Sequence, residues 1–257
     1  MTVLESSQVV WLLRELELAG LVAMRRAAPY LSQKLWLIQQ LPTARVSTDA
    51  AFQLRLARHL GLRGKLRQCE PALFELIDRF RQQPPQAFET VLQAVSALTG
   101  QVEKSVASEI LALFSPDAPV IDRELRELLP RYGFATLAEA PSLQQCLQWH
   151  ESLCGLFDQI LASPAWPRVR ARLQQHLDAP VRGQISDARM LNAALTHARR
   201  TIALIPVPRM PAQASASGSS SGSASGGSSA PSAAAGTEAA GKVTPSAREG
   251  RLLHVCR

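Results

Sequence analysis

A chain of 257 residues is long enough to bury a sizeable core in one or two domains. Apolar residues make up 46% of it and aromatics only 5%; β-branched and aromatic runs are scarce while Leu, Ala, Arg, Gln and Glu abound, which favours an all-helical protein over a sheet-rich one. The formal charge is +7, and residues 1–209 hold 24 Lys/Arg against 19 Asp/Glu, a basic excess compatible with a nucleic-acid partner but not demanding one.

Met1 to Glu5 carry no basic run, and the apolar stretch that follows is interrupted by Arg14, Glu15 and Glu17. No signal peptide and no membrane span are therefore expected, and a cytoplasmic location follows. Cys69, Cys146, Cys154 and Cys256 match no zinc spacing and form no tight cluster for an iron–sulfur centre, so thiols in a reducing compartment are expected, with no metal and no cofactor.

The first predicted helix covers 6–28, capped by Ser6 or Ser7, with Val9, Leu13, Leu16 and Gly20 on one face and Leu12 widening it. Arg25 and Arg26 near its end suit the helix dipole. A second helix runs from Tyr30 to Gln40, with Trp36 and Leu37 toward the core, and Pro42 ends it. A third covers 48–60, capped by Thr48 or Asp49, with Phe52, Leu56 and Leu60 on one side. In the following Gly61–Arg67 segment, two glycines stand among Arg63, Lys65 and Arg67. Such a segment could cradle a phosphate at Gly64, Lys65 and Arg67, and equally fits a solvated turn between helices. Helices over 71–82 and 86–98 flank Pro84-Pro85; Leu73, Leu76, Ile77 and Phe80 face inward in the first, Phe88, Leu92, Val95 and Leu98 in the second.

Residues 98–129 say more than the rest. A turn at Gly100 leads into Lys104, and Val106, Ala107, Ile110, Leu111 and Phe114 then recur at helical spacing. Ser115-Pro116-Asp117 breaks that helix. Pro119, Val120 and Ile121 read as extended, and Asp122 opens another helix whose apolar side is Ile121, Leu125, Leu128 and Leu129.

The order Leu98, Gly100, Lys104, apolar helix, loop, Pro119-Val120-Ile121-Asp122, apolar helix resembles the helix-hairpin-helix DNA glycosylase superfamily, which includes the endonuclease III and 8-oxoguanine glycosylase types. Ser105-Val106-Ala107-Ser108-Glu109-Ile110-Leu111 followed by Pro119-Val120-Ile121-Asp122 is most similar to a divergent, uncharacterised branch of it. The resemblance implies a two-lobed helical fold, a hairpin at Gly100 that holds the DNA backbone, a catalytic aspartate at Asp122 and, in bifunctional members, a nucleophilic lysine at Lys104. The substrate it implies is damaged or modified DNA. The second hairpin glycine of the superfamily is replaced here by Val102, and Glu103 adds a negative charge beside it. Those two residues support an alternative: a catalytically silent descendant that binds nucleic acid or a protein. From the residues alone, Asp122 is also a good N-cap, and Lys104 a solvated helix residue paired with Glu103 or Ser108.

Arg131-Tyr132-Gly133-Phe134 reads as a helix end with a glycine stop. A long helix over 142–163 carries Leu143, Leu147, Leu153, Leu156, Phe157 and Ile160 as apolar positions and His150 as a surface or hydrogen-bonded polar residue. A basic helix follows Trp166-Pro167 from Arg168 to Leu177, and a last helix starts at Ile185-Ser186-Asp187, with Met190, Leu191, Ala194 and Leu195 inward. Residues 210–257 are rich in Ser, Gly and Ala and cannot bury enough apolar surface to offset chain entropy, so a disordered tail is expected after a helical domain at 1–209.

Overall fold

The computed structural model describes residues 4–205; the tail assigned to 210–257, with Cys256, lies outside the described residues. Among the described residues there are eleven α-helices, a single 3-10 turn and no strand, so the all-helical expectation holds.

Helix α1 spans Ser6–Gln40, 35 residues in one piece. This corrects the expected division into 6–28 and Tyr30–Gln40, because Pro29 lies inside a continuous helix. A proline there removes the bond to the carbonyl one turn back, at a cost of ~3 kcal/mol. Burial on both sides of it offsets that cost: Met24, Ala27, Leu31 and Leu37 are fully buried, while Pro29 itself faces solvent. The cap is also not the expected serine. Glu5 stands at the N-cap, and its N–H donates to Gln8 Oε1 at 2.7 Å.

The long partner of α1 is α11 (Asp187–Ile202), and this is the most extensive helix pairing of the fold. Ala19, Ala23 and Ala27 on α1 and Ala188, Ala193, Ala194 and Ala198 on α11 are all buried; small side chains let two helices approach closely. Gly20 serves the same end against α9 (Trp166–Gln174), since a Cβ there would sit 2.8 Å from Leu173 Cδ2. Ser186 caps α11 by accepting from Arg189 N–H at 3.3 Å.

Around this pair lie α2 (Ala50–Leu60), α3 (Lys65–Gln68), α4 (Glu70–Gln82), α5 (Phe88–Thr99), α6 (Lys104–Phe114), α7 (Arg123–Leu128), a 3-10 turn (Leu129–Tyr132), α8 (Leu143–Leu161) and α10 (Ala179–Arg182). Asp49 caps α2 through Phe52 N–H at 3.0 Å. The carboxylate of Asp78 on α4 pins the preceding loop by accepting from Val46 and Ser47 N–H at 3.0 and 2.7 Å. Helices α5 and α6 pack on each other as a hairpin whose turn needs Gly100, the C-cap of α5, in the left-handed region at φ +69°. Helix α6 is nearly submerged, with Val106, Ala107, Ser108, Ile110, Leu111 and Leu113 buried. The buried apolar side chains of all these helices form a single core cluster.

Candidate functional site

The segment after α6 is held like a splint. Val120 N–H donates to Asn192 Oδ1 at 2.7 Å, and Ile121 N–H donates to Ser108 Oγ at 2.9 Å. The next residue, Asp122, is the N-cap of α7: its Oδ1 accepts from Leu125 N–H at 2.6 Å. Its Oδ2 accepts a short bond from the Thr196 hydroxyl, and Asn192 Nδ2 reaches that hydroxyl at 3.5 Å. Asn192 and Thr196 are one turn apart on α11, so one helix face fixes both the backbone before Asp122 and the carboxylate itself. A carboxylate has about four lone-pair directions, so two remain for another partner. Asp122 is half-buried. Burial raises its pKa to about 6, against the opposing bonds from Thr196 and Leu125; Glu109 and Glu124 push it the same way as burial. A carboxyl group in that range exchanges its proton near neutral pH.

Behind Asp122 lies a polar cluster that the sequence reading missed. Glu109 on α6 accepts from Tyr30 Oη at 2.7 Å and Lys34 Nζ at 2.8 Å, and faces His59 Nε2 at 3.2 Å. Lys34 is only 2% exposed. Burial alone would raise the Glu109 carboxyl, but Lys34 and His59 hold it well below the usual carboxylate range. Burial lowers the Lys34 ammonium, with Glu109 working against it, and raises the Tyr30 phenol, with Glu109 adding to the rise. The Tyr30 ring stacks on His59 at 5.1 Å. Beside the cluster, Arg189 donates to the Ala112 carbonyl at 2.9 Å. A small crevice of about 10 Å3 lies among Tyr30, Lys34, Val120, Arg189 and Asn192. The signal for the cluster was present: Tyr30 and Lys34 are one turn apart on the buried side of α1, and Lys34 sits between Leu31 and Leu37. A charge on a buried helix face needs a partner.

Lys104 lies in other surroundings. Its Nζ donates to the Glu139 carbonyl at 2.7 Å, and the side chain is buried near Arg126 and Cys146. Burial lowers its pKa, and Arg126 adds to the effect. The expected solvated lysine paired with Glu103 or Ser108 is therefore corrected: Ser108 donates to the Ser105 carbonyl at 3.0 Å and supports Ile121 instead.

The three residues of the Gly61–Arg67 segment read for phosphate are all exposed. Gly64 has φ +53°, and Lys65 and Arg67 lie on the short helix α3 rather than in a plain turn. The segment meets the hairpin: the Cys69 thiol, which ends α3, donates to the Leu98 carbonyl at 3.4 Å, two residues before Gly100. That bond ties the C-terminal end of α3, which carries Lys65 and Arg67, to the last turn of α5.

His150 is buried and stacked on Phe88 at 4.0 Å, and its Nδ1 lies 3.7 Å from Cys154 Sγ. Burial lowers its pKa to about 4. An open depression of about 690 Å3 lies elsewhere, among Ala135, Thr136, Gln145, Gln148, Trp149 and Glu151. The described residues contain no group of three His, Cys, Asp or Glu side chains placed to hold a metal ion, and no helix long and apolar enough to cross a membrane. The chain matches no family profile, no curated protein and no solved structure.

Proposed function

We propose that this chain is a helix-hairpin-helix glycosylase-type protein that releases a damaged or modified base from DNA, with Asp122 as the carboxylate beside the sugar. The observation that carries this reading is the Asp122 splint. A carboxylate at the end of the loop after the second hairpin helix is fixed by Leu125 N–H and Thr196, retains two lone-pair directions, and has a pKa raised to about 6. Departure of a base builds positive charge on the sugar, and a preorganised carboxylate stabilises that charge or accepts a proton from attacking water. The superfamily's two-lobed arrangement, with α6 and α7 lining the cleft between lobes, belongs to the same proposal. Lys104 supports base release without strand cleavage, because its buried amine is engaged by the Glu139 carbonyl.

A second reading, a silent descendant that binds without catalysis, is favoured by the crevice near Asp122. About 10 Å3 is room for one water and not for a base. Val102 and Glu103 in the hairpin favour it too.

Single-turnover assays on a panel of lesion-bearing duplexes separate the two. Base release by the wild type that is lost in Asp122→Asn supports the glycosylase. A borohydride-trapped adduct that vanishes in Lys104→Ala would restore the lyase step. Absence of release from every lesion, with DNA binding retained, supports the second reading.

A further inference from the structure

We propose that the exposed face of α2 and the turn into α3 is a docking surface for the phosphodiester backbone of duplex DNA, running alongside the Gly100 end of the hairpin. The inference rests on DNA being the partner, as in the reading above, but not on catalysis.

The residues that carry it are Arg55, Arg58, Arg63, Lys65 and Arg67, all exposed. From Ala50 to Cys69 there is no aspartate or glutamate. These five cations equal the net excess of residues 1–209, so charge is otherwise balanced over that span. Phe52, Leu56 and Leu60 turn one side of α2 into the core. Arg55 and Arg58, three residues apart, therefore share its outer side. The left-handed Gly61 and the Leu62 N–H bond to the Ala57 carbonyl, 3.1 Å, end α2 in a tight turn, so that Arg63 follows Arg58 by only five residues. The Cys69 bond to the Leu98 carbonyl then ties the C-cap of α3 to the last turn of α5.

Pairing separates this face from the other arginine-rich one. On α9, Arg168 and Arg172 pair with Glu17 and Arg170 with Asp187, although all three are well exposed. None of the five cations of the α2–α3 face has a carboxylate partner among the described residues, and Arg55 lies over the Trp36 ring at 4.1 Å. A carboxylate in contact with an arginine does locally what a phosphate would do. An unneutralised row of guanidinium and ammonium groups keeps that interaction for a polyanion, and releases the polyanion's counterions on contact.

The test uses the full chain and an undamaged duplex, with affinity measured by fluorescence anisotropy over a range of salt. The triple variant R58Q/K65Q/R67Q is compared with R168Q/R170Q/R172Q, which removes the same charge from α9. The slope of log K against log salt should fall by about 2–3 in the first, at ~0.9 for each phosphate no longer neutralised, and stay near wild type in the second. Equal slopes for the two variants would overturn the proposal, since only net charge would then matter. So would a wild type that binds no duplex, or one that binds anionic vesicles in its place. Helical circular dichroism and the urea midpoint check that both triples fold; should the first fail, Arg58→Gln alone is read for a slope decrease near 0.9. Binding through this face without base release sinks the glycosylase reading and leaves the surface. Base release with slopes unchanged does the reverse.

Discussion

Replacing Asp122 by Asn separates the residue's structural duty from its titration. Asparagine is as good an N-cap as aspartate, and its side-chain oxygen can accept from Leu125 N–H as Asp122 Oδ1 does. What disappears is the charge, together with the acceptor for the Thr196 hydroxyl, because an NH2 group stands where Oδ2 was. Burial raises the Asp122 pKa from 3.8 to about 6, so between those values the native state binds more protons than the unfolded one. Stability then falls as pH rises through that window. At 1.36 kcal/mol per unit the loss is about 3 kcal/mol by pH 7, an upper value because Asp122 is only half-buried. The Asn variant has no such loss. Relative to wild type it should gain up to about 3 kcal/mol between pH 4 and pH 7. His150, buried neutral with a pKa of about 4, contributes with the opposite sign, its stability being lost as pH falls, but it is common to both proteins and cancels in the difference. Urea unfolding at a series of pH values measures this gap. A gap that does not change with pH would refute the burial argument, whereas a constant offset reports the lost Thr196 bond. Under the proposed function the same substitution abolishes base release, so it should trade activity for stability.

Glu109→Gln leaves Lys34 buried without its counter-charge and should cost about 3–5 kcal/mol in urea unfolding, while the double variant Lys34→Met/Glu109→Met should recover most of that loss. Pro29→Ala restores a helix hydrogen bond at an exposed position and should stabilise by up to ~3 kcal/mol; a lower midpoint would mean that the proline bends α1 onto its partners. Gly100→Ala meets nothing within 4 Å of the new Cβ, so only the left-handed backbone opposes it, and a loss of about 1–2 kcal/mol is expected.

Most of the helical layout was readable because apolar periodicity and punctuation agreed. Phe52, Leu56 and Leu60 after Asp49, or Leu153 to Ile160 after Ser142, leave little choice of face. Pro29 misled because its cost is local, whereas the burial that outweighs it comes from α11, far along the chain. The Asp122 cap was legible as an isolated residue. Its anchoring was not, since Asn192 and Thr196 lie 70 and 74 positions away and nothing in a lone Asn or Thr marks it as a clamp. The Tyr30–Lys34–His59–Glu109 cluster failed for a similar reason. Each member looks like an ordinary helix residue until three helices converge, and only the position of Lys34 between buried leucines hinted at an internal partner.

Lys104 is where motif and packing pull apart, and one substitution weighs them. If the amine is an anchor, its role is to tie the Glu139 carbonyl to the start of α6. Lys104→Met keeps the stem and removes that bond, at a cost of about 1 kcal/mol, since Glu139 is exposed and water can replace the donor. The pH dependence carries a further sign. Burial lowers the Lys104 pKa, so above the lowered value the unfolded state holds more protons, and wild-type stability rises with pH up to the unfolded lysine range. The Met variant lacks this rise, so its deficit should widen toward alkaline pH. Base release should meanwhile be unchanged. A nucleophile behaves otherwise: the depressed pKa then serves to expose a lone pair, and Lys104→Met would abolish both a borohydride-trapped adduct and strand cleavage. Stability that diverges at alkaline pH with activity intact assigns Lys104 to the fold; activity lost with stability intact assigns it to the chemistry.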